Sequence, residues 1–373
     1  VIINNNVLPF KSEYNHDYGF AGTDDAIEAG NVQIPNRSNN STLIYVDSGT
    51  TGISASNFDI GSTSGYYINS GNYITRYDRT NSTGIYVANG AILNITGGSR
   101  TRWYPHDDHG IGANPRYTTT GTYVDDTGTR INVKGNYNTG VYTEGTTNVT
   151  GAIRTLNGVS GPNISFNVSG YHNNGIDVVK GTTTVSTTEF NISDNHNTGM
   201  YLRNGSTANV SYSPFTISGN NNSGIYAMSG STLGSVANSS FTVTGTNSNG
   251  IYKDTSNVTT ISGSTFNVSG GSSVGVVYNG GSTAAETISG STFNVSGGNS
   301  SAGILMSNAK ELTINPSSYI NVSNSSIGID VDNNGLQTKE IKFLGNDNPN
   351  LTPVHMTLTG DRNIGVNISG GFM

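Results

Sequence analysis

The side chains with the greatest chemical potential cluster between positions 98 and 118, where aromatic, basic, acidic and imidazole groups stand close together. The chain's single tryptophan lies in this segment. Aromatic and arginine side chains are the usual energetic anchors of binding interfaces, so this composition favours ligand recognition. The alternative is a loop that folds back and buries its tryptophan against the rest of the protein. The candidate ligand-binding residues are Arg100, Arg102, Trp103, Tyr104, His106, Asp107, Asp108, His109 and Arg116.

Paired carboxylates would support a different chemistry, the cleavage of polysaccharides by general acid and base catalysis. Adjacent aspartates occur at 24–25, 107–108 and 125–126. However, the chain does not reproduce the ordered pattern Asn-x-Asp, Asp-Asp, Gly-His-Gly and Arg-x-Lys that polygalacturonase-like enzymes show. We therefore predict no catalytic residues and no enzyme, and keep a glycosidase or lyase as the alternative hypothesis.

The segment His106-Asp107-Asp108-His109 also contains groups that could bind a metal ion. Adjacent residues of one loop rarely all converge on a single ion, so local hydrogen bonds are the simpler expectation. The chain has no cysteine, which removes disulfides and thiol ligands. The sequence therefore predicts no metal site and no cofactor.

The charge balance limits the class of partner. The net charge is -7 and no basic run is present, which argues against a nucleic-acid partner because phosphates require clustered lysine and arginine. No segment approaches the ~20 apolar residues that a membrane-spanning helix needs. We expect neither nucleic-acid binding nor direct membrane insertion of this segment.

The elements that must position these groups are revealed by an internal repeat. A glycine followed by an aliphatic residue recurs with spacings of 24, 25, 26, 25, 28 and 25 residues. A phenylalanine precedes most of these glycines by nine residues, so the two landmarks repeat together. The glycines are Gly175, Gly199, Gly224, Gly250, Gly275, Gly303 and Gly328, and the phenylalanines are Phe166, Phe190, Phe215, Phe241 and Phe266.

Apolar residues alternate with polar ones inside each repeat, which is the pattern of a β-strand. A unit of about 25 residues with two or three short strands cannot bury its own apolar face, so successive units must stack. Only 33% of the residues are hydrophobic, which fits a thin, repeated core. The fold class predicted is all-β, a right-handed parallel β-helix (solenoid) with equivalent residues in columns along its axis.

The repeat is regular from residue 131 to 373 and is interrupted before residue 130. We interpret residues 1–373 as a single β-helix segment. Within it, 1–130 form irregular coils with inserted loops and 131–373 form regular coils. The inserted loop at 98–118 is the most prominent interruption.

A second candidate binding surface follows from the alternation. Tyr201, Tyr226 and Tyr252 occupy equivalent outward positions in three successive repeats. Rings at that spacing could stack on sugars. The alternative, which we favour, is that the rings stack on one another and stiffen the sheet.

The repeat motif itself resembles a known family. It reads Asn-Thr-Gly-Met-Tyr at 197–201, Asn-Ser-Gly-Ile-Tyr at 222–226 and Ser-Asn-Gly-Ile-Tyr at 248–252. These motifs resemble the passenger domains of Gram-negative autotransporter adhesins, particularly the very large fusobacterial ones. The resemblance implies a right-handed β-helix on the bacterial surface, tethered through an outer-membrane barrel that is not in this chain.

The function implied by the resemblance is adhesion. The partners expected are host-cell surface receptors or glycans, with other bacteria as a further possibility, and we expect a monomer. The family has no catalytic residues to transfer onto this sequence. A passive stalk that holds a distal tip away from the cell is the third hypothesis, because it fits the regular repeats.

Overall fold

A computed structural model describes part of the chain, and every regular element in that part is a β-strand. The described residues are 2–4, 26–28, 31–33, 42–54, 57–60, 81–97, 100–103, 122–125, 128–156, 159–254, 257, 259–279, 285–298, 300–307, 311–332, 339–345 and 352–369.

The strands form three long sheets in which every pairing among the described residues is parallel. Sheet 1 comprises Ile2–Asn4, Thr42–Ser48, Thr83–Val87, Thr139–Thr143, Asn174–Val178, Thr198–Leu202, Ser223–Ala227, Asn249–Lys253, Val274–Tyr278, Ala302–Met306, Ile327–Asp332 and Ile364–Ser369. Sheet 2 comprises Ala26–Glu28, Thr50–Ser54, Ile92–Thr96, Thr146–Thr150, Thr182–Ser186, Thr207–Ser211, Thr232–Ala237, Thr260–Ser262, Glu286–Ser289, Glu311–Ile314 and Glu340–Phe343. Sheet 3 comprises Asn31–Gln33, Asn57–Ile60, Thr129–Val133, Ile164–Val168, Glu189–Ile192, Pro214–Ile217, Ser240–Val243, Thr265–Val268, Thr292–Val295, Tyr319–Ser323 and His355–Thr359.

The chain visits the three sheets in a fixed order, and each circuit lies on the circuit before it. In the regular part a strand of sheet 3 is followed by one of sheet 1 and then one of sheet 2. The register follows the sequence repeat, since Phe190 pairs with Phe215 and Tyr201 pairs with Tyr226. The parallel β-helix predicted from the repeat is confirmed.

Within the described ranges, two antiparallel hairpins interrupt the circuits. Arg100–Trp103 pairs with Thr122–Asp125 between a strand of sheet 2 and a strand of sheet 3. Ile153–Leu156 pairs with Val159–Pro162 at the equivalent place one coil later. The second hairpin lies within residues 131–373, which the sequence predicts to form regular coils. The repeat does not reveal this hairpin, because the insertion leaves the landmark residues on either side in place.

The interior is filled by columns of equivalent apolar residues. The predicted phenylalanine column is confirmed and also includes Phe293, and its members are buried. Adjacent rings stack with centroids 4.5 to 5.0 Å apart and planes within 9° of parallel, from Phe166 to Phe293. Ring spacing therefore matches the ~4.8 Å separation of hydrogen-bonded strands.

The recurring glycine is explained by the narrowness of this interior. A Cβ atom built on Gly224 would lie 2.5 Å from the carbonyl oxygen of Gly250 and 3.2 Å from both Ile217 Cδ1 and Phe241 Cδ1. No side chain fits in that space. The Gly-aliphatic motif is thus a packing requirement at the corner where sheet 3 turns into sheet 1.

The abundant asparagines form hydrogen-bonded ladders along the axis. On the outer face of sheet 3, the Asn191 side-chain amide donates to Asn167 Oδ1 at 3.0 Å, and the Asn294 amide donates to Asn267 Oδ1 at 2.8 Å. A second ladder is buried at the corner before sheet 1, where the Asn173 backbone N–H donates to Asn197 Oδ1 at 2.8 Å. These amides satisfy the polar groups of turns that are withdrawn from water.

Candidate functional site

The predicted loop at 98–118 is a β-hairpin at its base. One strand of the hairpin begins at Arg100 and ends at Trp103. Arg102 lies within this strand and pairs with Tyr123 of the return strand. The hairpin is thus inserted between a strand of sheet 2 and the following strand of sheet 3, at a corner of the β-helix. The other candidate residues of this loop lie outside the described residues, and they are Tyr104, His106, Asp107, Asp108, His109 and Arg116. Ligand binding at this loop remains a prediction.

Tyr201, Tyr226 and Tyr252 lie side by side on the outer face of sheet 1, where the alternation predicts them. The Tyr226 and Tyr252 rings are stacked at a centroid distance of 4.7 Å, whereas Tyr201 meets Tyr226 at 5.5 Å with an interplanar angle of 63°. All three rings are half-buried.

The column is longer than the three tyrosines predicted from the sequence. Tyr45 stacks on Tyr86 at 4.8 Å, and Tyr86 stacks on Tyr142 at 5.1 Å, at the same outward position of earlier coils. We call these six residues the tyrosine column. A simple comparison of the sequence with itself misses Tyr45, Tyr86 and Tyr142, because the earlier repeats are irregularly spaced.

An ion pair fills the one coil in which the tyrosine column lacks a tyrosine. Asp177 occupies that position, and Arg203 donates to it twice, from Nε at 3.0 Å and from an η nitrogen at 2.9 Å. The Arg203 guanidinium carbon is 5.8 Å from the ring centroids of both Tyr142 and Tyr201, so it joins the two halves of the column. Burial raises the pKa of Asp177, and the hydrogen bonds from Arg203 oppose that rise.

This geometry decides what the tyrosine column can do. Where neighbouring rings stack, each covers a face of the next, and those covered faces cannot stack on a sugar. The cation over Tyr142 and Tyr201 occupies further ring area. The arrangement therefore favours the stiffening role over sugar binding for this column.

A different set of rings is exposed at the corner between sheets 3 and 1. Tyr137, Tyr171, His172 and His196 form what we call the aromatic corner. Tyr137 and Tyr171 are 50% and 40% exposed. Tyr137 stacks on His172 at 5.2 Å and His172 on His196 at 4.8 Å, while Tyr171 meets both imidazoles edge-on.

The backbone explains how the aromatic corner projects. Tyr137, His172 and His196 have φ values of 56°, 55° and 57°, in the left-handed region that non-glycine residues rarely adopt. Asn221 and Asn247 take the same conformation at the same position of later coils. The sequence does carry a signal for this surface. In consecutive repeats an aromatic or imidazole side chain stands three residues before the repeated glycine, but a search for repeated apolar positions overlooks it.

A shallow cavity lies on the outer face of sheet 3 beside the aromatic corner. It has a volume of about 270 Å³ and crosses three coils. We call it the polar groove, and its lining residues are Asn167, Val168, Ser169, Asn191, Ile192, Ser193, Thr216 and Ser218. Its walls offer amide and hydroxyl groups and contain no carboxylate.

The polar groove and the aromatic corner are parts of one surface, because the chain runs from Ser169 to Tyr171 and from Ser193 to His196 within two or three residues. Each primary amide carries two N–H donors, and the ladder uses one of those on Asn191. The second donor is available to a ligand. Burial and the neighbouring His196 lower the pKa of His172, which favours the neutral imidazole.

The described part of the chain also bears on metal binding and membrane insertion. Within it, no three His, Asp or Glu side chains come together in a way that could hold a metal ion. Those residues also include no helix of the length and apolarity required to span a bilayer.

Comparison with known proteins gives limited information. No family model matches the chain, and no curated protein matches it. Among solved structures, the family 28 exopolygalacturonase of Yersinia enterocolitica is similar at 12% sequence identity and a TM-score of 0.27, over 91% of this chain and 74% of that enzyme. This is a distant likeness to a polysaccharide-degrading β-helix enzyme.

Proposed function

We propose that this chain is a segment of a bacterial surface adhesin that binds extended glycans across the aromatic corner and the polar groove. The observation that carries the proposal is the exposure of four adjacent rings beside a cleft of amides and hydroxyls. Ring faces and edges offer apolar area to the C–H faces of sugars, and placed polar groups fix the orientation of a ligand. A surface that crosses several coils suits a chain-like ligand.

The resemblance of the repeat motif to autotransporter passenger domains supports a location on the bacterial surface. There the glycan would belong to a host cell or to another bacterium. The lining of the polar groove offers amide and hydroxyl groups to a glycan and includes no carboxylate. The hairpin that begins at Arg100 is a second proposed contact for a receptor.

A passive stalk is the competing proposal, and the tyrosine column favours it. Stacked rings and the Asp177–Arg203 ion pair stiffen sheet 1 without offering free ring faces. A protein that only separates a distal tip from the cell would need these columns and would have no use for the exposed rings of the aromatic corner.

The test is glycan-array and cell-surface binding by a corner variant that preserves the backbone. Each ring is replaced by asparagine, because later coils carry asparagine at the equivalent positions. The four substitutions are Tyr137→Asn, Tyr171→Asn, His172→Asn and His196→Asn. We expect glycan affinity to fall about tenfold or more, since ~1.4 kcal/mol of lost ring contact corresponds to one factor of ten.

The control is Tyr212→Asn, which removes an exposed ring at a different corner, where Asn238 has a similar backbone conformation. This variant should bind as the unaltered protein does. Equal binding by the corner variant would refute the assignment of the site, and a chain that binds no glycan or cell would favour the stalk. Deletion of residues 98–118 tests the hairpin separately.

A further inference from the structure

The interior of the β-helix holds one group of ionisable side chains among the described residues. Lys253 and Glu286 have side chains that are 1% and 0% exposed, and Tyr278 is equally buried. All three point into the core at the corner between sheets 1 and 2. In the coils that follow, Met306 extends the column of Lys253 and Tyr278, and Leu312 lies on Glu286, so apolar side chains cover the group on that side.

The three side chains meet across adjacent coils. Lys253 Nζ donates a hydrogen bond to Glu286 Oε1. The backbone N–H of Thr259 donates to Glu286 Oε2 at 2.9 Å and so polarises the carboxyl group. Tyr278 lies directly above Lys253 in sheet 1, with its ring centroid 5.8 Å from Nζ, and closes the site on that side.

Burial disfavours the charged form of each partner. It lowers the pKa of Lys253 and raises the pKa of Glu286, although the two groups oppose these shifts in each other. Removing an ammonium and a carboxylate from water together is unfavourable, and their mutual attraction offsets that cost only in part. Transfer of one proton from Lys253 to Glu286 across their hydrogen bond converts the pair to an amine and a carboxylic acid, which are a nucleophile and an electrophile held in contact.

We propose that Lys253 and Glu286 condense to form an intramolecular amide. The Nζ atom attacks the Glu286 carboxyl carbon, a C–N bond forms, and the bond from that carbon to one carboxyl oxygen breaks. The departing oxygen leaves as water with a proton from each of the two groups, so neither an oxidant nor another reactant is needed. The product buries a neutral amide in place of two ions, and the absence of bulk water in the core disfavours its hydrolysis.

The amide would act as a covalent staple between neighbouring coils. Lys253 lies in one circuit and Glu286 in the next, so the bond would prevent the coils from separating under tension. The chain has no cysteine, so a disulfide cannot provide such a link.

Mass spectrometry of the unaltered chain tests the proposal directly. The intact protein should be lighter than its sequence mass by one water molecule. After denaturation, trypsin should fail to cleave after Lys253 and should therefore release a single peptide, 204–310, that lacks one water. The fragment ions of this peptide should show that Lys253 and Glu286 are linked. Intact sequence mass, together with separate peptides 204–253 and 254–310, would overturn the proposal and leave an ion pair.

Two variants use residues that the same columns carry in later coils. Glu286→Leu should restore cleavage after Lys253 and the full mass, and Lys253→Met should show no loss of water. If either variant fails to fold, the mass of the unaltered chain still decides the question. Persistent loss of water in both variants would also refute this linkage.

Discussion

At the scale of single residues, the fold depends on positions where only one side chain satisfies the geometry. Gly224 and its equivalents face the interior with no room for a methyl group. The asparagine that precedes each of several such glycines by two residues bonds turns of adjacent coils, as Asn197 does through its backbone N–H to Asn222 Oδ1 at 2.6 Å. The repeated Asn-x-Gly sequence therefore records two packing constraints.

The glycine constraint gives a direct prediction for stability. Gly224→Ala forces a methyl group against the Gly250 carbonyl oxygen and two core side chains. We expect a loss of about 1–3 kcal/mol in the free energy of unfolding, the usual cost of overpacking. Chemical denaturation monitored by circular dichroism measures it.

Gly271→Ala is the matched control for this substitution. A Cβ atom at Gly271 meets nothing within 4 Å, and its backbone is outside the left-handed region. This variant should keep or slightly raise stability, because alanine reduces the freedom of the unfolded chain. If both alanines had the same effect, the packing explanation for the motif would be wrong.

At the scale of elements, one strand of sheet 1 presents two different columns to its two faces. Alternation sends Ile225 into the core and Tyr226 to the outside, and each lies directly against its equivalents in the neighbouring coils. The outer tyrosine column is continuous because the Asp177–Arg203 ion pair bridges the coil that lacks a ring. Stiffness of the sheet thus has a contribution from outside the core.

The tyrosine column predicts a pH dependence. Burial, followed by its charged and phenolic neighbours, raises the pKa of Tyr226 from 10.0 to about 12. The folded state therefore retains this proton more strongly than the unfolded state does. Its contribution to stability is complete below pH 10 and is lost as the pH rises from 10 towards 12.

Phenolate absorbance and denaturation measured across that pH range test this expectation. Tyr226→Phe should remove one phenolate that forms near pH 12 and should reduce the fall in stability between pH 10 and 12. A Tyr226 phenol that titrates at its ordinary value would show that the column does not shield it.

At the scale of the whole molecule, stability is a sum over stacked coils that contact only their neighbours. The equivalence of coils is set by the register, in which Phe215 pairs with Phe241 and Ile225 with Ile251. A complete coil is therefore a unit that the structure can lose without misaligning the remainder.

Deletion of residues 215–240 tests this modularity, because it brings Phe190 opposite Phe241 and Met200 opposite Ile251. We expect a folded β-protein whose length, measured by small-angle scattering, is shorter by ~4.8 Å. Deletion of 215–227 is the control, since it removes the strands of sheets 3 and 1 and leaves that of sheet 2. Comparable folding of both deletions would contradict the stacking register.

The sequence by itself determined the repeat, the strand alternation and the vertical alignment of Phe190, Phe215 and Phe241, because those are local periodicities that only a stacked coil can satisfy. It also placed Tyr201, Tyr226 and Tyr252 on the outside. The tertiary structure alone decided which rings are covered and which are exposed. It also brought Lys253 to Glu286, because these two residues come from different coils and no spacing along the chain records how their side chains turn.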